Sequence, residues 1–378
     1  MYELIATTSF GIEAIAKREL INLGFEVIKT DNGKVTFLSD LSGIAKANLW
    51  LRTADRVLLK IAEFKALTFD ELFDQTTLIP WENYLPADAK FPVDGSSVKS
   101  TLFSISDCQA LVKKAIVERL KKKYHQDWFA ETKDEYPIKV SLLNDIATIT
   151  LDTSGTALHK RGYRQSAVTA PLKETLAASL ILLSYWQNSR ILVDPFCGSG
   201  TIAIEAAMIG RNIAPGLTRD FVSKSWPWIG ETIWKEQIRQ AFQAINHDSD
   251  LTIYASDIDS VNIEAAKENA LEAGVSDDIV FSTIDFRHRD YDYPYGILIT
   301  NPPYGDRLTE EDYKIKQIYQ DLAKLIDRLP TWSLYVITSN QELTHLVKRK
   351  PDRERKLYNG NIETHYYQFL GPKPPIKS

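Results

Sequence analysis

The spacing of apolar residues divides this chain into two differently built halves. In the first sixty residues, strand-like runs at 2–9 and 25–38 flank a helical stretch at 12–23, with Gly24 as its cap. Asp31-Asn32-Gly33 is a strong hairpin signal inside the second run. An amphipathic helix at 44–51 and a strand at 56–64 follow. This strand-helix-strand-strand-helix-strand order predicts a split βαβ, ferredoxin-like unit. Further on, the pattern predicts a helix at 69–75, a strand at 91–100 and a long helix from about 106 to 124 with Asp107 as its cap. Strands at 138–143 and 145–151 form a hairpin turning at Asn144-Asp145.

The second half alternates buried strands with helices, the signature of a doubly wound parallel sheet. A helix starts near Pro171 and runs to 183, with the proline placed near its first turn. Strands at 191–193, 251–255, 279–282, 296–300 and 333–338 are separated by helices at 202–209, 260–273 and 311–329. A last hairpin, 356–358 and 364–370, turns at Asn359-Gly360. Residues 211–248, with Ile213-Ala214-Pro215-Gly216 and Trp226-Pro227-Trp228, read as an insertion packed near the pocket, its aromatics in the core by default. The tail 371–378, with three prolines, reads as disordered.

Size changes this picture only by adding a domain: 378 residues exceed one ordinary core and suggest two or three. Two cysteines, Cys108 and Cys197, make no disulfide framework, and the paired Cys/His spacing of a zinc site is absent, so no metal is expected. Together with the absence of an export signal, this favours a reducing cytoplasm. No apolar run is long enough for a membrane span. The net charge of −5 gives no global attraction to nucleic acid, but a local basic face is what neutralises phosphates. Between residues 98 and 125 there are seven Lys/Arg, including Lys99, Lys113 and Lys121-Lys122-Lys123, against two acids. The bland alternative for that helix end is a solvated face that complements the helix dipole.

Chemistry enters at the ends of the strands. Asp194-Pro195-Phe196-Cys197-Gly198-Ser199-Gly200-Thr201 is a buried strand running into a glycine turn and a helix, where missing Cβ atoms let a ligand lie against the backbone. Gly198, Gly200 and Ala203 also satisfy a dinucleotide fingerprint, so a nicotinamide domain must be weighed. Two facts oppose it: a carboxylate at the Asp194 tip would repel a pyrophosphate, and the next acid able to hold a ribose, Asp257, lies far beyond the ~20 residues expected. No lysine follows the glycines, which excludes a P-loop.

The strand 296–300 stops at Asn301-Pro302-Pro303-Tyr304, since prolines cannot continue a ladder. The stiff tip projects one amide, one uncommitted carbonyl and one aromatic face, a set suited to a planar substrate with an exocyclic amine. Asn-Pro-Pro-Tyr in this place resembles the catalytic motif of S-adenosylmethionine-dependent amino-methyltransferases, and residues 194–201 resemble their cofactor motif. By that resemblance Asn301, Pro302, Pro303 and Tyr304 are catalytic. The cofactor residues it implies are Thr169, Pro171, Asp194 through Thr201, Asp257 on the ribose hydroxyls, Ile258 on the adenine, Asp285 and Phe286 flanking the adenine amino group, and Asn301. The fold implied is a class I Rossmann-like domain with a seven-stranded, mostly parallel sheet.

The segments around residues 97–100, 106–110 and 121–124 resemble a THUMP domain, an RNA-binding module. Together with the His159-Lys160-Arg161-Gly162-Tyr163-Arg164 junction and Asn301 through Leu308, they make the whole chain similar to THUMP-containing bacterial ribosomal RNA (guanine-N2)-methyltransferases of the RlmL/YpsC-like group. The implied domains are ferredoxin-like 1–64, THUMP 65–160 and methyltransferase 161–378. RNA contacts are then expected from Lys99, Lys113, Lys121, Lys122, Lys123, Arg161, Tyr163 and Arg164. Some members carry a second, carboxy-terminal methyltransferase domain, so a second methylation is not expected of this chain. The motif reads an amine rather than a ring, which leaves adenine N6 and a tRNA guanine as alternatives to guanine N2 in large-subunit ribosomal RNA. Glutamine-N5 methylation of protein and a non-catalytic RNA-binding assembly factor are the remaining readings. The sequence leaves the oligomeric state open.

Overall fold

The computed structural model describes residues 1–164, 172–304 and 311–375, and they form two compact units. Thr169, Pro171 and the last three residues of the tail lie outside the described residues.

The first unit comprises Met1–Thr8, Lys17–Leu158 and Asp220–Gln240. Its opening elements are β1 (Tyr2–Thr7), α1 (Glu13–Asn22, whose first residues up to Ala16 fall in the second unit), β2 (Glu26–Asp31), β3 (Lys34–Ser39), α2 (Leu41–Trp50) and β4 (Arg56–Lys65). They have the expected ferredoxin-like order, and Asn32-Gly33 closes the β2–β3 hairpin with Gly33 at φ +74°. Next come α3 (Phe69–Leu78), started by a Thr68/Glu71 capping box, β5 (Val93–Val98), α4 (Ile105–Tyr124), β6 (Ile138–Leu143) and β7 (Ile146–Asp152). Asn144 and Asp145 both take positive φ in the β6–β7 turn. The N-cap of α4 is Ser104, not Asp107; the Asp107 carboxylate instead accepts from the Ser104 hydroxyl. All seven strands join one sheet, ordered β2-β3-β1-β4-β7-β6-β5.

Residues 220–240 belong to this first unit, which corrects their expected place beside the pocket. Trp226 stacks on Tyr136 at 4.9 Å and donates to the Glu135 carbonyl, while Trp228 donates to the carbonyl of Tyr84. Buried indoles satisfy their N–H groups this way, so these tryptophans are core, as composition alone suggested.

The second unit holds Ser9–Ala16, His159–Arg219 and Ala241–Ser378. Its elements are α5 (Glu174–Leu183), β8 (Leu192–Asp194), α6 (Thr201–Gly210), α7 (Glu231–Gln243, mostly in the first unit), β9 (Ile253–Asp257), α8 (Ser260–Glu272), β10 (Ile279–Thr283), β11 (Ile297–Thr300), α9 (Glu311–Arg328), β12 (Ser333–Thr338), α10 (Glu342–Leu346), β13 (Arg353–Asn359) and β14 (Ile362–Phe369). The sheet order is β10-β9-β8-β11-β12-β14-β13, parallel from β10 to β12 and antiparallel in the last hairpin. Apolar residues of α5, α6 and α8 cover one face and those of α9 the other, so the central strands are buried on both sides. The order changes direction at β8 and β11, whose carboxyl ends therefore border a crevice where such sheets bind ligands.

Candidate active site

A cavity of about 460 Å³ opens at those two strand ends. One wall is the glycine turn after β8. Gly198 and Gly200 take φ of +50° and +82°, conformations that favour glycine. A Cβ on Gly200 would meet the Ala266 Cβ at 3.0 Å, whereas one on Gly198 would meet nothing within 4 Å. The first glycine lets α6 and α8 pack; the second leaves bare backbone facing the cavity. Asp257, at the end of β9, accepts from the Gly198 N–H at 3.0 Å and from Asn262 Nδ2 at 3.2 Å. Beside it Ile258 is left 70 % exposed, an apolar platform at the cavity wall.

Asp194 is buried, lines the same cavity and accepts from the Thr300 hydroxyl at 2.8 Å and from the Phe196 N–H at 3.3 Å. Burial, with a smaller contribution from the charge of Asp257, pushes its carboxyl up to about 7 from an ordinary 3.8, against the lowering by those two hydrogen bonds. A carboxylate so placed is stabilised by an incoming cation. Burial likewise pushes the neighbouring Cys197 thiol well above its usual value, so no thiolate chemistry is available there.

The opposite wall is Asn301 through Tyr304, all of which line the cavity. The Tyr304 hydroxyl donates to Asn301 Oδ1 at 2.7 Å, and Asn340 Nδ2 donates to the Tyr304 carbonyl at 3.3 Å. An amide oxygen has two lone pairs, so Asn301 keeps one for a ligand. Among the described residues the Pro302 carbonyl accepts no hydrogen bond.

The structure thus gathers Asp194, Phe196 through Ser199, Thr201, Asp257, Ile258 and residues 301–304 around one cavity. Pro195 and Gly200 shape the turn without lining it. Asp285 and Phe286 are not brought to the cavity. The Asp285 carboxylate is held below its ordinary range by hydrogen bonds from Arg287, which also reaches Asp321, and Phe286 packs against Phe196 at 4.7 Å.

Of three residues expected on a phosphate-contacting surface, Arg161 and Tyr163 are buried and Arg164 is part-buried and committed to partners inside the unit. Arg161 is 2 % exposed and pairs with fully buried Glu205, which also accepts from the Tyr163 hydroxyl. A guanidinium inside the protein and committed to a carboxylate cannot neutralise a phosphate. Arg164 binds Glu174 at 2.9 Å and reaches Ser199 Oγ, Thr201 Oγ1 and the Leu172 carbonyl, so it braces the glycine turn from behind. On α4, Lys113 pairs with Glu131 and Lys121 with Glu118, while Lys99, Lys122 and Lys123 are exposed.

Thr300, Asn262, Asn359 and Ile362 were not singled out by the sequence, yet the last three line the cavity and the first ties its two walls together. The lone hydroxyl ending an otherwise apolar strand was the available signal for Thr300.

Comparison with known proteins agrees with this geometry. Residues 161–368 match the model of the RMKL-like methyltransferase domain, residues 3–58 the RlmL ferredoxin-like domain and residues 66–152 the THUMP domain. YpsC of Bacillus subtilis, named a putative RNA methyltransferase, is 52 % identical over 99 % of this chain and 97 % of its own length. The ribosomal RNA large subunit methyltransferase K/L of Psychromonas ingrahamii is 36 % identical over 99 % of this chain but only 51 % of its own, so the chain spans about half of that enzyme. The solved structure of SMU.472, a putative methyltransferase complexed with SAH, superimposes with a TM-score of 0.92 at 41 % identity, covering 99 % of each chain. The bare Gly198 backbone, the cation-seeking Asp194 and the exposed Ile258 fit S-adenosylmethionine, and the chain belongs to the RMKL-like family of S-adenosylmethionine-dependent methyltransferases.

Proposed function

We propose that this chain methylates the exocyclic N2 amine of a guanine in large-subunit ribosomal RNA. The observation that carries the reading is the meeting of the Asn301–Tyr304 tip and the Asp194–Gly198–Asp257 wall at one cavity. Support for RNA comes from the THUMP match at residues 66–152 and the exposed Lys99, Lys122 and Lys123. Support for ribosomal RNA comes from the names of the K/L relatives. The division into 1–64, 65–160 and 161–378 belongs to this reading, amended by residues 220–240, which pack with the amino-terminal unit. So does a cytoplasmic location, where both cysteines stay reduced; no helix among the described residues is long and apolar enough to cross a membrane.

S-adenosylmethionine, when bound, supplies an electrophilic methyl group. Asp194 would hold its ammonium end, Asp257 its ribose hydroxyls and Ile258 its adenine. The target base must leave its stack to reach the cavity. Tyr304 stacks on the base, while Asn301 Oδ1 and the Pro302 carbonyl accept the two amine hydrogens and so aim the nitrogen lone pair. The nitrogen loses one proton to water after the new bond forms. No strong base is needed; alignment supplies most of the rate.

The test is transfer of labelled methyl to large-subunit RNA from a deletion strain, followed by nucleoside analysis. Label in N2-methylguanosine is expected. Label in N6-methyladenosine would overturn the base assignment, and label in protein the substrate class.

A further inference from the structure

Although the chain carries a net charge of −5, residues 348–356 hold six basic side chains and two acidic ones. The acids are already engaged: Asp352 accepts from the Leu370 N–H, and Glu354 meets His365. Lys356 is taken by Glu363 at 2.6 Å. Lys348, Arg349, Lys350, Arg353 and Arg355 have no carboxylate partner among the described residues. Elsewhere in the same unit, Arg211 is bound to Asp278 and Arg287 to Asp285 and Asp321. The run therefore differs from the usual solvated surface by what holds its arginines. Arg349 lies over the Phe369 ring at 5.5 Å, and Arg353 lies over Tyr185 at 5.8 Å while donating to its hydroxyl. Arg349 Nε and Nη2 and Arg355 Nε are buried without a hydrogen-bond partner, so a ligand can reach these two guanidinium groups only through their other nitrogens. Guanidinium groups seated on aromatic faces are oriented without being neutralised, an arrangement suited to phosphate oxygens.

The placement supplies the second half of the argument. Among the described residues β13 is the outermost strand of its sheet, and its far edge carries no further strand. It runs from Arg353 to Asn359, about 20 Å at the usual strand rise. Asn359 and, across the turn, Ile362 line the cavity that also holds Asn301 and Tyr304. The uncompensated positive charge thus begins on the segment before β13 and ends at Arg355, about 13 Å of strand before Asn359 at the cavity, a gap that about two nucleotides of an extended strand can span.

We propose that residues 348–355 form a track for the sugar-phosphate backbone of the RNA strand flanking the target nucleotide, delivering it to the cavity. The track rests on the RNA reading given above. It places on the methyltransferase unit an RNA contact separate from the α4 lysines of the THUMP segment. Binding along it is independent of base sequence, because phosphates carry none, and falls with salt as counterions are released.

The test uses the full chain and a fluorescein-labelled oligouridylate, with anisotropy read across a salt series. Combined Lys348→Gln, Lys350→Gln, Arg353→Gln and Arg355→Gln should weaken binding at low salt at least about tenfold. It should also flatten the slope of log K against log salt by roughly 2 to 3, at about 0.7 per lost contact to a single strand. Affinity for S-adenosylhomocysteine should not change. Lys348→Glu with Lys350→Glu, both at exposed positions away from the strand, should give the same direction of effect in a chain with no strand residue altered. An unchanged slope in both variants, with normal binding by the wild type, overturns the track and leaves the catalytic reading standing. A wild type that binds no RNA overturns both. Salt-sensitive retention on phosphatidylglycerol vesicles in place of RNA would reassign the surface to a lipid.

Discussion

The two strand ends that face each other across the cavity are built in opposite ways. The turn after β8 is held by long-range partners: Cys197 N–H to the Ser256 carbonyl, Asn269 to the Ser199 carbonyl, Arg164 to Ser199 and Thr201, and Gly198 N–H to Asp257. The tip after β11 is held mainly by its own covalent stiffness, two prolines, and by Tyr304 reaching back to Asn301, with a longer-range bond from Asn340 Nδ2 to the Tyr304 carbonyl. The first end is electrostatic, with a buried carboxylate that needs a cation; the second is neutral, with two oxygens and a ring. A cofactor site must be preformed and charged, whereas a site for an amine must offer acceptors without competing for protons. Among the described residues the hydrogen bond from Thr300 to Asp194 joins the two.

The contrast can be broken or sharpened by mutation. Asp194→Asn should weaken S-adenosylhomocysteine about 10- to 100-fold by calorimetry, the loss expected when one partner of a buried charge contact is removed. An unchanged Kd would strip the β8 end of its electrostatic role. The same carboxyl sets a pH dependence. It must be ionised to hold an ammonium group, so cofactor affinity should rise roughly tenfold from about pH 5.5 to about pH 7, and Asp194→Asn should abolish that rise. The sign for stability is opposite. The unfolded chain ionises this group near 3.8, the folded one near 7, so the native state holds an extra proton between those values. Stability of the free protein therefore falls as pH rises through that window, and the Asn variant flattens the fall in urea titrations. Thr300→Val removes a hydrogen bond to a buried carboxylate and should cost about threefold to tenfold in cofactor affinity, with the pH midpoint moved upward. Because Thr300 precedes Asn301, turnover should fall as well; an effect on binding alone would show that the two ends are independent. Tyr304→Phe keeps the ring and loses the hydroxyl on Asn301, and a roughly fivefold lower kcat is expected, as for one neutral hydrogen bond.

Much of this was legible in the sequence because it rests on short-range rules. Asn32-Gly33 and Asn144-Asp145 dictated hairpins, glycines dictated the turn after β8, and two prolines dictated where β11 stops. What could not be read is burial of polar groups by distant partners. Arg161 and Glu205 are 44 residues apart, and nothing local distinguishes a guanidinium that will be enclosed from one that will meet RNA. The basic junction at 159–164 and the basic run at 348–356 look alike as text; only the fold shows Arg161 and Arg164 of the first paired with Glu205 and Glu174, and Lys348, Arg349, Lys350, Arg353 and Arg355 of the second without a carboxylate partner among the described residues. Asp285 shows the same limit: its carboxylate accepts from Arg287, two residues away, and it is not among the residues that line the cavity, neither of which the strand-end pattern shows. The tryptophans of 220–240 were recognised as core but assigned to the wrong unit, since sequence adjacency says little about which core an insertion joins.

The central claim is that Asn301 acts on the substrate amine and not on the cofactor. Single-turnover methyl transfer by Asn301→Ala, with cofactor and RNA both saturating and the cofactor Kd measured on the same sample, tests it directly. The account predicts a rate lower by about 100- to 1,000-fold, the usual loss when one preorganised polar group at a reacting centre is removed, with a Kd within a factor of two or so of wild type. Transfer at the wild-type rate would contradict it.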